Sequence, residues 1–502
     1  MILHPVRVVP SRTPLPKEQQ LAWKIAEVAA ANAPIAPDVT EMVINRLIDN
    51  TAVAVAALNR TPVANARTQA LAHPRAGGAT VFGLPISQRF ECEWAAWANG
   101  VAVRELDMHD TFLAADYSHP GDNIPPLVAV AQQCGRSGAD LLRGIVVAYE
   151  IQMNLVRAIS LHRYKKDHIA HLCPSVAAGL GALLGLPIDP IYQAIQQAVH
   201  VGFSTRQSRK GEISSWKAHA PAHAGKLAIE ALDRAMRGEK SPSPIYEGED
   251  SVLAWMLGGP EVKYEVPLPA PGESCRAILD SYTKEHSAEY QAQAWIDLAF
   301  RMRRQLPELR SISAVTIHTS HHTHAVIGSG ASDPQKLDPK ASRETLDHSL
   351  MFIFAAALHT GFWHHVKSYA PEVVHHPDVI ALWQKIRTIE DPAWTARYHA
   401  TDPREKAFGG RVEILFADGH KVTDEIAVAD AHPLGRRPFG RAEYVGKFRM
   451  LTEGLLDPEE QRRLLQTAER LPELRAAEMG ELNAVLPPAR LTCAVRDQRG
   501  IF

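Results

Sequence analysis

Cysteine is the first scarcity: five in 502 residues, odd in number and far apart. Cys92, Cys134, Cys173, Cys275 and Cys493 form no C-x-x-C pair and match no zinc or iron–sulfur spacing. The pattern argues against a disulfide framework and suits a reducing cytosol. Net charge is also scarce. Lys plus Arg number 54 and Asp plus Glu 56, a balance of −2, so no long-range field draws nucleic acid or a membrane surface. Apolar runs of membrane-spanning length are missing, and the Pro-rich, charged stretch Met1–Gln20 has no apolar signal region. The expectation is a cytoplasmic chain with no nucleic-acid or membrane partner. No G-x-G-x-x-G, Walker lysine or G-x-S-x-G elbow occurs, and Gly77–Gly83 reads as a turn. No zincin-type H-x-x-x-H with its Glu occurs either, so no metal is expected.

What remains is an ordinary globular mixture, 46% hydrophobic and 22% charged, long enough for two to four domains. From Gln19 to about Met256 apolar residues recur at three- and four-residue spacing. Helices are predicted at Glu41–Leu58, Ala95–Leu106, Leu127–Gln133, Asp140–Ile159, Ser175–Leu184 and Ala222–Arg237. Ser137 to Asp140 resembles a capping box, and Gly185-Leu186-Pro187 reads as a stop and a new start. Pro267–Gly272 marks a boundary. Beyond it, Ser311–Thr319 reads as a strand, Ser342–Thr360 as a helix and Gly410–Val428 as a hairpin. Glu443–Leu455 and Glu459–Arg470 are helical again. The fold class is therefore mostly α with an α+β second domain. The reading divides the chain into a helical part, 1–270, an α+β part, 271–436, and C-terminal helices, 437–502, that can pack back onto the first.

Four constellations carry candidate chemistry. Glu105 to Thr111, followed by Ser118 to Asn123, gathers carboxylates and two histidines at a helix–loop–helix junction. It is either an acid–base site or a capped polar loop. Ser214 to Ala220 opens a helix with Lys217, either an anion-binding lysine at a helix N-terminus or a solvated one. Tyr282 to Gln293 opens the second domain with another dense polar run, which a charged helix start also explains. The histidines His318, His321, His322, His324, His364, His365, His375 and His376 suit surface or packing roles, and those from His321 to His324 follow a strand and could line a cleft.

Together these segments resemble the MmgE/PrpD family over nearly the whole chain, in order. The pieces are Leu106-Asp107-x-x-Asp110-Thr111 with Ser118-His119-Pro120; Trp216-Lys217; Ser243-Pro244-x-x-x-Glu247-Gly248; Lys284-x-x-Ser287-Ala288-Glu289-x-x-x-Gln293; Asp347-His348; the Asp418-Gly419 hairpin; Gly435-Arg436-Arg437; and Lys447-Phe448. The resemblance is closest to the 2-methylcitrate dehydratase branch. It implies a homodimer whose cleft lies between a helical domain and an inserted lid, working without metal or organic cofactor on a small tricarboxylate. By motif position it implies Asp107, His119 and Lys217 as catalytic and Thr111 and Lys284 as substrate-binding; Glu289 and His322 complete the expected substrate-binding set. Related cis-aconitate decarboxylases carry His where this chain has Glu289. The branch often has Pro at Ser287 and His at Gln291.

Elimination of water from such an acid removes a proton α to a carboxylate and a hydroxide from the next carbon. Cations at that carboxylate stabilise the developing charge, and a general acid must protonate the leaving oxygen. Asp107 and His119 are the expected acid–base unit, the carboxylate favouring the protonated imidazole. Decarboxylation or epimerisation of a similar acid is the alternative, and a non-catalytic dimeric binding protein the alternative of another class.

Overall fold

The computed structural model describes residues 1–306, 308–400, 402–492 and 500–502, so Cys493 lies outside the described residues. Two hydrophobic cores organise the chain. The first is built from Ala-rich helices whose small side chains let axes approach closely. At its centre Gly138–Ala158 crosses Ile169–Leu184, where a methyl group added at Gly179 would lie 2.7 Å from Ala148 Cβ and 2.8 Å from the Gly144 carbonyl oxygen. Ser137 caps the former helix with Asp140 as its reciprocal partner, and Gly185 ends the latter at φ +66°. Tyr444, Phe448, Leu451, Leu464 and Leu465, from the helices Arg441–Thr452 and Pro458–Glu469, belong to this first core. The antiparallel pair Ile2–Arg7 and Lys263–Leu268 closes it and runs into the stretch Pro267–Gly272.

The second core lies between a four-stranded sheet and the helices Tyr290–Arg303 and Leu350–Thr360. The strand order is Ile386–Glu390, Ile312–Thr319, Gly410–Phe416, Lys421–Ile426; the first pair is parallel, the others antiparallel. Val412, Ile414 and Phe416 point into this core, as strand alternation requires. No described helix is long and apolar enough to cross a membrane.

Three local expectations change. The stretch beginning at Gly77 is not a simple turn: Pro74–Ala79 is a strand bridged to Phe90, and a Cβ at Gly78 would lie 2.1 Å from the Phe90 carbonyl oxygen. Glycine is there for close backbone approach. Ser342–Thr360 is not one helix but two, Arg343–Leu346 and Leu350–Thr360. The Ser349 side chain caps the second by accepting from Phe352 N, which leaves Asp347 and His348 in the break. The helix read as Ala222–Arg237 starts earlier, at Trp216, which puts Lys217 in its first turn.

Gly179→Ala should lower stability although alanine is the better helix former. The overpacking at the crossing is expected to cost about 1–3 kcal/mol. A thermal midpoint at or above the parent's would show that the two helices have room to part.

Candidate functional site

Between the cores lies a narrow cleft of about 30 Å³, lined in part by Asp107, Thr111, His119, Glu289 and His322. Asp107 follows the helix Cys92–Glu105 and sits at φ 49°, a left-handed conformation rare for a residue other than glycine. That conformation turns the chain out of the helix and aims the carboxylate into a set of cations. Arg104 Nη1 donates to Asp107 Oδ1 at 2.7 Å and Lys284 Nζ to the same oxygen at 2.5 Å. Lys217 Nζ lies 3.0 Å from Asp107 Oδ2. Lys217 Nζ also donates to both oxygens of Asp347 at 2.9 Å, and Arg343 Nη1 to Asp347 Oδ2 at 3.2 Å. Four cations thus surround two carboxylates, all but Arg343 at 3% exposure or less.

Burial alone would push Asp107 up, but Arg104, Lys217 and Lys284 hold it well below the usual carboxylate range. That favours its anionic form and argues against a role as proton donor near neutral pH. Burial draws Lys284 down from the lysine range despite Asp107. His348, hydrogen-bonded to Asp347, is driven down to about 3 by burial and by Lys217. Asp107, Asp347 and His348 stand close enough together to hold a metal ion, but the Lys217 ammonium already lies against all three, 3.3 Å from His348 Nδ1. Lys217 and Lys284 do not line the cleft; they brace the residue that does. Lys447 Nζ, paired with Asp49 at 2.6 Å, donates to the carbonyls of Met108 and Lys284, also at 2.6 Å, and fastens both segments from behind.

His119 departs from the expected pairing. No hydrogen bond joins it to Asp107; its Nδ1 faces the Asp110 carbonyl oxygen at 3.1 Å. Donation to that carbonyl fixes the proton on Nδ1 and leaves Nε2 with a lone pair. Burial, then Arg104 and Lys284, hold His119 well below the histidine range, opposite to the protonated form expected beside a carboxylate. Thr111 is locked by backbone bonds to Tyr282 in both directions, and its hydroxyl donates to the Ser118 carbonyl at 2.8 Å.

The opposing wall carries Glu289, the N-cap of Tyr290–Arg303, whose carboxylate accepts from Gln291 N at 2.7 Å. Burial pushes Glu289 up to about 7 against the pull of Lys284. With the Gln291 amide nitrogen turned to Glu289, its oxygen accepts from His322 Nε2 at 3.2 Å. His322 stacks on Tyr398, ring centroids 5.1 Å apart, and burial keeps it neutral, well below the histidine range.

Other residues singled out in the sequence have different work. Asp110 accepts from Gly121 N at 2.7 Å and from the Tyr149 hydroxyl at 2.8 Å, so it shapes the loop. Glu247 accepts from Leu21 N at 2.7 Å and satisfies the start of the helix Leu21–Ala30, away from the cleft. The sequence reading missed Arg104, Arg206 and Arg209, all at the cleft wall, and Arg343 behind it. Arginine is common on helices, and only the turn at Asp107 reveals the role of Arg104.

Lys284→Met should destabilise the fold by about 3–5 kcal/mol, because it removes a countercharge from a buried carboxylate. Adding Asp107→Asn should recover part of that loss. A double variant whose loss is the sum of the two single losses would mean that the ion pair does not couple them.

The chain was compared with known proteins. It is 28% identical over 362 residues to the mitochondrial 2-methylcitrate dehydratase of Yarrowia lipolytica, covering 67% of this chain and 65% of that one. It is 27% identical over 403 residues to the 2-methylcitrate dehydratases of Salmonella typhimurium and Escherichia coli, covering 74% of this chain and 78% of each of those. Residues 19–265 match the MmgE/PrpD N-terminal domain, and residues 286–473 match the MmgE/PrpD C-terminal domain. The first match carries Asp107, His119 and Lys217 and the second Glu289, His322 and Asp347, so both walls of the cleft fall within matched domains, and the chain belongs to the MmgE/PrpD family.

Proposed function

We propose that this protein is a hydro-lyase that eliminates water from 2-methylcitrate to give 2-methyl-aconitate, a step of propionate breakdown by the methylcitrate cycle, without metal or organic cofactor. The observation that carries the reading is the opposition of a neutral His119 and a carboxyl group, Glu289, poised at about 7, across a cleft rich in cations.

His119 Nε2 takes the proton from the carbon next to a carboxylate. The C–H electron pair becomes the new double bond. The C–O bond on the neighbouring carbon breaks, and the Glu289 proton goes to the departing oxygen, which leaves as water. A base and an acid on opposite walls suit an anti elimination. Arg104, Arg206 and Arg209 face the cleft and would meet the substrate carboxylates, where charge develops. Lys217, Lys284 and Asp107 act by holding that arrangement, and Thr111 and His322 complete the walls.

Proton NMR of purified protein with 2-methylcitrate, citrate and cis-aconitate, with and without a strong chelator, tests the reading. Formation of the unsaturated acid in both arms is expected. Loss of carbon dioxide, inversion without elimination, or no turnover would each reject it.

The pH profile tests the acid. Glu289 has to be protonated to donate, and its folded value of about 7 lies above the ordinary 4.5, so kcat/KM should fall as pH rises through about 7. Glu289→Gln should lower kcat by about 10²–10⁴-fold and abolish that limb. A limb that persists in the variant belongs to another group.

The division into a helical part, 1–270 with 437–502, and an inserted lid, 271–436, is part of the proposal, as is a homodimer. Its support is the tightness of the cleft. About 30 Å³ holds no more than about two waters, so a tricarboxylate enters only if the walls separate. Tricarballylate should protect residues 284–293 and 107–119 together from hydrogen exchange, and sedimentation should give the mass of two chains. Protection of only one segment would mean that the two walls do not share a ligand.

A further inference from the structure

Beside the cleft lies a second, far larger cavity of about 620 Å³. It reaches the surface between the strand Phe112–Leu113 and the segment around Pro403 and Lys406. Among the described residues, Leu113 alone lines both spaces. The short hairpin of Phe112–Leu113 with Tyr117–Ser118 explains why. Along an extended strand side chains alternate, so Thr111 and Leu113 lean towards the cleft while Phe112 turns to the cavity. Leu113, 2% exposed, is left as the partition. The backbone carrying it cannot retreat: Thr111 is paired with Tyr282 in both directions, and Ala114 N donates to the Asp116 carbonyl at 2.8 Å.

The walls of the cavity include the apolar side chains Phe112, Ala114, Leu279 and Tyr282. Of the charged groups that also line it, Arg157 pairs with Asp280 at 2.5 Å while its guanidinium lies 5.1 Å from the Phe112 ring centroid, and Arg404 pairs with Asp402 at 2.8 Å. An alkyl chain entering beside Leu113 would have Phe112, Leu279 and Tyr282 to lie against.

We propose that Leu113 sets substrate range. Its side chain limits the substituent on the tricarboxylate to a short one, and shortening it joins the cleft to the larger cavity, whose apolar walls accept 2-alkylcitrates with longer chains. The inference rests on the hydro-lyase reading for its substrate class. It needs no change in the acid or the base, because Leu113 touches neither proton-transfer step.

The experiment compares the parent with Leu113→Ala and Leu113→Val, and with Leu113→Met as the volume-conserving control. Relative kcat/KM for 2-butylcitrate against 2-methylcitrate should rise by about tenfold or more in Leu113→Ala, less in Leu113→Val, and stay near the parent value in Leu113→Met. Leu113→Val carries the test if Leu113→Ala does not fold by circular dichroism. Calorimetric binding of tricarballylate and its 2-butyl derivative, which do not react, gives the same comparison without turnover. A parent enzyme that already handles both citrates equally, or a ratio and a relative affinity that stay within threefold in the shortened variants, would overturn the assignment. Absence of dehydration with any citrate would reject the hydro-lyase reading, while the binding arm would still decide the role of Leu113.

Discussion

The structure around the cleft depends on one buried cluster: Asp107 held by Arg104, Lys217 and Lys284, with Lys217 shared by Asp347. Each partner comes from a different stretch of chain. Arg104 ends one helix, Lys217 begins another, Lys284 lies between the two family-matched stretches, and Asp347 stands in a helix break of the second core. Charges buried to this degree are expensive unless they are matched. The matching can be complete only when both cores are in register, so the cluster makes the geometry of the cleft a condition of the charge balance.

The buried polar groups at the cleft sit where regular structure stops. Asp107 follows a helix end, Glu289 caps a helix start, and Asp347 and His348 occupy the gap that the Ser349 cap creates. Helix ends leave backbone groups unsatisfied, and polar side chains gather there to satisfy them. The same side chains are then rigidly held and face the seam between cores. Lys447, from a helix near the C-terminus, adds the last brace by binding the carbonyls of Met108 and Lys284, which explains why a lysine so distant in sequence belongs with the family motifs.

This division also explains what was legible in the sequence. Helix periodicity marked most of the first core, and the alternation at Val412, Ile414 and Phe416 marked the hairpin of the second. The polar runs at residues 105–123 and 282–293 stood out because they interrupt such patterns. What composition could not reveal was pairing. Asp107 and His119 are close in sequence, and the loop between them suggested a mutual hydrogen bond. Yet Asp107 binds lysines 110 and 177 residues further along the chain, and His119 turns to a backbone carbonyl. Long-range ion pairs leave no periodic trace, and neither does the left-handed turn at Asp107.

The opposite protonation behaviour of His119 and Glu289 follows from a single condition, exclusion of water. Burial disfavours the charged form of each, so it removes the proton from the imidazole and keeps one on the carboxyl group. The surrounding cations reinforce the first effect and oppose the second: Arg104 and Lys284 act with burial on His119, whereas Lys284 works against it on Glu289. Glu289 therefore depends on closure more than His119 does. In an open cleft, water would solvate its carboxylate while Lys284 still attracted the negative form, and the proton would be lost. A bound polyanion changes that balance in the useful direction. In the proposed reaction its carboxylates would offset the nearby cations and make ionisation of Glu289 less favourable, so that binding, closure and protonation of the proposed acid would be one coupled event.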